Sequence, residues 1–218
     1  MTNTKNPAFK KLSDFFAKKN HRVYKKGQII LYAGDRPSGV FYIEKGHVKA
    51  YSLSEKGEEK IHMFFKEHEI FPLVWPFKKD REDIFYQAVE TVEVRISEEE
   101  SFHTLIHAEP EVMHAIVHEL IDVVDVFINR VENLQFAGSY NRLIARLLFL
   151  AERFGKCSGS KVEINLPTTH LDIANTISLT RETVSRDMEI LLKKRLISQK
   201  SHFVTINNIL RLKKELSV

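Results

Sequence analysis

Four side chains near the C-terminus have the types and spacing to read a nucleic acid. In the run 180–193 (TRETVSRDMEILLK) each helical residue advances ~100°. Val184, Met188 and Leu191 therefore cluster on one side, while Arg181, Glu182, Ser185 and Arg186 cover an arc on the other, at the leading end. A forked guanidinium matches guanine O6 and N7, and a carboxylate accepts from cytosine N4; the major groove favours both pairings. The plainer alternative is a surface ion pair between Glu182 and Arg186, four residues apart, worth about a few tenths of a kcal/mol.

Such an arc needs elements that hold it. Thr180 suits a helix N-cap. Before it, Ile173, Ala174 and Ile177 are the apolar positions of a shorter helix, joined through Ser178-Leu179. Two helices with so tight a connection, the second polar on its leading face, predict a helix-turn-helix. Residues 196–200 (LISQK) and 203–206 (FVTI) predict a hairpin, or wing, that brings Lys200 near a backbone phosphate. Upstream, 141–154 read as a helix, 155–160 (GKCSGS) as a turn or loop, and 161–166 as a short strand.

The first half has a different rhythm. Residues 1–20 suggest one amphipathic helix with Phe9, Leu12, Phe15 and Phe16 at helical spacing. From Arg22 to Ile96 short β-branched and aromatic runs follow (28–32, 40–43, 47–53, 61–65, 85–89, 91–96), punctuated by Gly27, Gly34, Gly39, Gly46 and Gly57. Glycine at those points supplies the positive φ of turns, so the pattern predicts a small β-barrel or sandwich. Ser97 reads as an N-cap with acids behind it, and Pro110 opens the next helix. Along that helix Met113, Val117, Leu120, Val124, Phe127, Val131 and Leu134 alternate spacings of 4 and 3. This is the a/d seam of a helix paired with a second copy, so a homodimer is expected. Val112, Ile116, Ile121, Val123 and Ile128 make the helix apolar over more than one stripe, as one serving both its own barrel and a partner would be. The expected domains are 1–108, 109–138 and 139–218.

Composition narrows the class. The chain has 218 residues, 43% hydrophobic and 28% charged, which is a globular rather than a disordered balance. No apolar stretch approaches the ~20 residues of a membrane span, and residues 1–20 lack a secretory signal's apolar core. Cys157, the single cysteine, excludes a disulfide framework, a Cys-based zinc site and a four-cysteine iron–sulfur cluster. A reducing, cytoplasmic setting is expected. Residues 139–218 carry 14 Lys and Arg against 7 Asp and Glu, whereas 109–138 carry one base against six acids. A basic C-terminal third suggests a polyanion-binding module. No nucleophile–base pattern, glycine-rich phosphate loop or HExxH argues for an enzyme.

The run LDIANTISLTRETVSRDMEIL (171–191) resembles the helix-turn-helix of the CRP/FNR superfamily of bacterial transcription regulators. The resemblance covers nearly the whole chain. Residues 42–46 (YIEKG) look like a hairpin of the cyclic-nucleotide-binding β-roll, and the helix after Pro110 corresponds to the family's dimerisation helix. The implied fold is α+β: an N-terminal jelly-roll-like β-roll, a long dimerisation helix and a C-terminal winged helix-turn-helix. The implied partners are double-stranded DNA, a second copy and RNA polymerase. Glu182 and Arg186 match the residues that read a palindromic half-site with a TGA core. Arg181 matches the catabolite-regulator branch and Ser185 the oxygen-regulator branch, so half-site preference stays open between them. Thr169, His170, Thr180 and Lys200 are expected on phosphates.

The effector machinery of the family does not carry over. Where its cyclic-nucleotide binders hold the phosphate on a Gly-Glu-Leu turn and an Arg-Ser pair, this chain has Phe71-Pro72-Leu73 and Glu82-Asp83. Proline removes a donor, two carboxylates repel a phosphate, and the adenine-contacting positions fall on Phe127-Ile128. A one- or two-residue slip would bring Arg81 closer but restore neither the glutamate nor the adenine contacts. No response to cyclic AMP is expected, and no cofactor or metal. Two readings of the aromatics stand. Phe71, Trp75, Phe77, Phe85 and Phe127 line a pocket for haem or an apolar effector, with a histidine such as those of the pairs His103/His107 and His114/His118 as ligand. Alternatively the aromatics are barrel core, filling the space a nucleotide would take; this second reading is preferred.

Overall fold

The computed structural model describes residues 7–78, 83–136 and 138–216, without the side chains of 129 and 133–136. It divides into two compact units, residues 1–125 and 126–218. The fold is α+β throughout.

The first unit begins with α1 (Pro7–Phe16) and β1 (Asn20–Tyr24). The single helix expected over 1–20 thus ends at Phe16, where the chain turns into a strand paired with a later one. Next come β2 (Ile29–Leu31), β3 (Val40–Lys45), β4 (Val48–Leu53), β5 (Glu59–Phe65), β6 (Ile70–Phe71), α2 (Trp75–Lys78), β7 (Phe85–Ala88) and β8 (Val92–Ser97). Two four-stranded antiparallel sheets result, with orders β1-β8-β3-β6 and β2-β7-β4-β5. Strand side chains alternate between faces, and β3 (VFYIEK) shows the consequence. Phe41 and Ile43 enter the core formed by both sheets, with Val48, Phe65, Phe71, Tyr86 and Val94. Val40 and Tyr42 enter a second core with Leu12 and Phe16 of α1. Burial of both faces explains the unbroken apolar run. Gly46 turns β3 into β4 at φ 88°, where an added Cβ would stand 2.6 Å from the Thr91 carbonyl oxygen, so no other residue fits.

Two helices complete this part, α3 (Glu99–Ala108) and α4 (Pro110–Phe136). Ser97 is the last residue of β8 and not the cap of α3; Glu98 stands there without a side-chain cap bond, although Glu99 and Glu100 occupy the first turn as expected. Pro110 does open α4. Phe102, Ile106, Val112 and Ile116 bury into the second core, with Met113, Leu120 and Val123 packed partly against it. The division between units falls inside α4. Met113 and Leu120 belong to their own unit's packing. The outward residues are Val117, Ile121 and Val124, then Phe127, Ile128 and Val131 in the second unit's portion. Of the expected seam positions, Val117, Val124, Phe127 and Val131 are thus exposed, as are Ile121 and Ile128, and the Leu134 side chain lies outside the described residues.

The second unit continues with α5 (Ser139–Phe154), β9 (Gly155–Ser158), β10 (Lys161–Ile164), α6 (His170–Ile177), α7 (Arg181–Lys193), β11 (Ile197–Lys200), β12 (Phe203–Ile206) and α8 (Ile209–Leu216). Residues 155–158, expected as loop, form an edge strand because β10 pairs with them in register, from Gly155 opposite Ile164 to Ser158 opposite Lys161. The sheet order is β11-β12-β10-β9. Leu143, Ile144, Leu147, Ile173, Val184, Met188, Leu191, Ile206 and Leu212 are buried. Tyr140 donates to Glu215, which also pairs with Lys194, tying α5, the end of α7 and α8 together. Among the described residues no helix is long and apolar enough to cross a membrane.

Candidate nucleic-acid interface

Thr169 and Thr180 fix the two helices of the helix-turn-helix. The Thr169 hydroxyl accepts from the Asp172 amide (3.0 Å), and the Asp172 carboxylate accepts from the Thr169 amide (2.8 Å), a reciprocal capping box. Ser178 adopts a left-handed φ of 54° and closes α6. Two residues later Thr180 caps α7 by accepting from the Thr183 amide at 3.2 Å. The recognition-type helix thus begins at the expected residue, with its free N–H groups and positive dipole end beside Arg181.

On α7, Val184, Met188 and Leu191 are fully buried, whereas Arg181, Glu182 and Arg186 are exposed and Ser185 is half-buried. Among the described residues no ion pair joins Glu182 to Arg186; Arg186 instead donates from Nε to Asp187, at 3.5 Å. The surface-pair alternative is therefore absent, and the exposed arc is what spacing predicts. Asp187 is a residue that sequence reasoning missed. It is 3% exposed, and its Oδ2 has no partner among the described residues. Its position three after Val184 puts it on the inward face, and that spacing was the available signal.

His170 was expected on a phosphate, but the protein engages both its ring nitrogens. Nδ1 lies 2.8 Å from Ser185 Oγ and Nε2 lies 3.3 Å from Gln199 Oε1. The Gln199 amide nitrogen donates to the Ser201 carbonyl, which leaves its oxygen toward the ring. Nε2 then carries a proton, and in the neutral ring Nδ1 accepts from the Ser185 hydroxyl. Ser185 consequently keeps its oxygen lone pairs free to accept from a base amino group. This chain links β11, α6 and α7, with Gln199 the second residue that the sequence did not single out. The wing turn is further anchored where the Thr168 amide donates to the His202 carbonyl, at 2.9 Å. Thr169 has its hydroxyl engaged by Asp172, Thr180 is exposed beside the α7 N-terminus, and Lys200 is exposed at the end of β11.

The five aromatics of the expected effector pocket fare differently. Phe71 is fully buried between Phe41 and Tyr86, with ring centroids 5.0 and 5.2 Å away. Trp75 is buried, Phe85 stacks on Tyr51 at 5.2 Å, and Phe77 is exposed against the edge of His103. Phe127 is exposed in the second unit. Phe71 and Trp75 are therefore core residues, whereas Phe77 and Phe127 are exposed. Leu73 is buried in the second core, so the turn aligned with a phosphate cradle is built into the packing on both of its sides. Asp83 is exposed, while Arg81 and Glu82 lie outside the described residues.

For metal, the described residues bring together one group of three candidate ligands, His21, Glu44 and Glu93, whose ligand atoms lie within 4.8 Å of one another. Arg95 Nε lies 2.9 Å from Glu44 Oε1 as an ion pair, so this is a mixed ion-pair cluster on one sheet face. Neither expected histidine pair joins such a group; His103 and His107 stack at 6.4 Å. Cys157 is exposed.

Residues 21–109 match the family profile of the cyclic nucleotide-binding domain, and residues 141–215 that of the Crp-like helix-turn-helix domain. The global nitrogen regulator of Synechococcus elongatus is 28% identical over 196 residues, covering 89% of this chain and 88% of that one. The fumarate and nitrate reduction regulatory protein of Vibrio cholerae is 29% identical over 183 residues, covering 84% and 73%. Among solved structures, a CooA mutant from Carboxydothermus hydrogenoformans superimposes with a TM-score of 0.78 at 20% identity, covering 94% of this chain and 90% of that one. FixK2 from Bradyrhizobium japonicum gives a TM-score of 0.75 at 19% identity, covering 90% and 96%. At those identities the structures speak for the fold alone.

Proposed function

The chain belongs to the CRP/FNR family of transcription regulators, and from that premise we propose that it acts as a homodimer on a two-fold DNA site with TGA-containing half-sites. Each copy lays α7 in the major groove, where Arg181, Glu182, Ser185 and Arg186 meet base edges. Thr180 and Lys200 meet phosphates beside them, and Thr169 and His170 hold the module in shape. Bound at a promoter in the cytoplasm, the dimer acts through RNA polymerase. The observation that carries this reading is the exposed arc of α7 behind its Thr180 cap, free of an internal Glu182–Arg186 pair.

A second copy fits the outward apolar row on α4, since Val117, Ile121, Val124, Ile128 and Val131 recur at the 4 and 3 spacings of a coiled-coil seam. Cyclic AMP is not the effector in this reading. Phe71, Pro72 and Leu73 are buried where a phosphate would need open backbone donors, and Phe71 is clasped by Phe41 and Tyr86. Adding cyclic AMP should leave DNA affinity unchanged.

Equilibrium binding of Arg186→Ala tests the base-reading role. Affinity for the specific site should fall by ~1–3 kcal/mol, with discrimination relaxed at one base pair. Affinity for unrelated duplex should change little. Equal weakening on both would remove Arg186 from the bases.

A further inference from the structure

Arg142, Arg146, Phe149 and Arg153 recur 4, 3 and 4 residues apart, on one face of α5. Arg146 is 8% exposed, and its Nε is buried without a hydrogen-bond partner. Its guanidinium carbon stands over the Phe149 ring, 4.9 Å from the centroid, and no carboxylate among the described residues bonds to it. The charges that act on it are cations: burial first, then Arg130 of α4 and Arg153, push its pKa down to about 9, which leaves it charged at neutral pH. Burial also lowers the pKa of Arg130. Arg142 donates from Nη1 to the Ile177 carbonyl at 3.4 Å, while its Nε is buried without a partner among the described residues.

A buried cation is ordinarily paired, because losing hydration is costly and only an opposite charge with good hydrogen bonds offsets it. Here like charges surround the one side chain that most needs an anion. The DNA-reading arc of α7 does not include it, because Arg146 is buried on α5. A guanidinium presents five donors in a planar fork suited to phosphate and carboxylate oxygens.

We infer that Arg146, flanked by Arg130 and Arg153, forms an oxyanion site inside the second unit and takes a small phosphate- or carboxylate-bearing molecule. The anion supplies the charge missing from the described chain, so its binding stabilises the module that carries α7.

Inorganic phosphate is the probe. Thermal melts of the full-length protein are compared in sodium phosphate and in sodium chloride of equal ionic strength. At phosphate about 100-fold over Kd, the midpoint should rise by roughly 5–10 °C. Arg146→Leu should lose that rise and melt above the wild type in chloride, since it replaces an unpaired buried charge with an apolar side chain. Lys200→Ala, altered on the DNA-facing wing, should keep the full phosphate response. Should Arg146→Leu not fold, Arg153→Gln serves, with a several-fold weaker phosphate affinity by calorimetry. The inference is overturned by a wild type that responds to phosphate no more than to chloride. It is overturned equally if the Arg146→Leu or, where that is used, the Arg153→Gln response matches the wild type, or if Lys200→Ala abolishes it.

Discussion

In the second unit the polar side chains of α7 stand outward from a small apolar core; in the first, the turn Phe71-Pro72-Leu73, aligned by resemblance with a phosphate-holding turn, is itself core. Val184, Met188 and Leu191 bury one side of α7 and leave Arg181, Glu182 and Arg186 in solvent. Phe71, by contrast, is fully buried at the turn aligned with a phosphate cradle, stacked between Phe41 and Tyr86. On the reading proposed above, the scaffold keeps its packing while one of two sites is filled in. What distinguishes a site from a core is whether polar groups converge on open space, and that holds at α7 and fails at Phe71.

The largest effect that sharpens this contrast is expected at Phe71. Phe71→Ala should destabilise the first unit by ~3–5 kcal/mol, the cost of a lost aromatic and the cavity left behind. Calorimetric unfolding checks it; a loss below about 1 kcal/mol would mean that the aromatics do not fill the space. Next comes the outward row of α4. Val124→Asp should shift the protein toward monomer in sedimentation and lower affinity for a two-fold site by about 10²-fold, as two half-sites lose their linkage. A third effect belongs to the cap. Thr180→Ala should cost ~1 kcal/mol of the second unit's stability, read from its denaturant midpoint, with no effect on the first unit's packing.

The smallest effect is confined to acid. The Lys194 ammonium, with a further hydrogen bond from Tyr140, holds the Glu215 carboxyl below the usual carboxylate range. A carboxyl with a lowered pKa in the folded state contributes stability that is present above its unfolded value and lost as pH falls through the lowered one. Glu215→Gln should therefore be slightly less stable than wild type at neutral pH and equal to it in strong acid. Lys194 is exposed and Glu215 half-buried, so screening keeps the difference small. Melting midpoints across that pH range check it, and a gap that widened in acid would reverse the sign.

These two regions were also unequally legible in the sequence. The α7 helix could be read from Arg181 to Lys193 because its signals are local: a capping threonine, a buried row at helical spacing and a polar arc. β6 carries only Ile70 and Phe71, too short for periodicity, and exists because β3 pairs with it. β9 (GKCS) lacks β-branched residues and becomes a strand through its neighbour β10. The α4 helix is apolar on several stripes, so spacing alone offered two overlapping rows. The burial of Val112 and Ile116 picks the outward one, and that choice depends on residues distant in sequence. The same holds for His170, whose engagement by Ser185 and Gln199 joins three elements that no local pattern connects. At 71–73 the replacement of donors by Phe71 and Pro72 was visible, and aromatic core was the preferred reading, whereas the partners Phe41 and Tyr86 that stack on Phe71 were not.

The most direct measurement is selection of bound duplexes from a random-sequence pool by the purified full-length protein, with no nucleotide added. Enrichment of an inverted repeat whose half-sites lie about one helical turn apart, centre to centre, is predicted, because two copies of α7 related by a two-fold axis must enter successive major grooves. No enrichment, or a lone unrepeated element bound by one copy, would contradict the account.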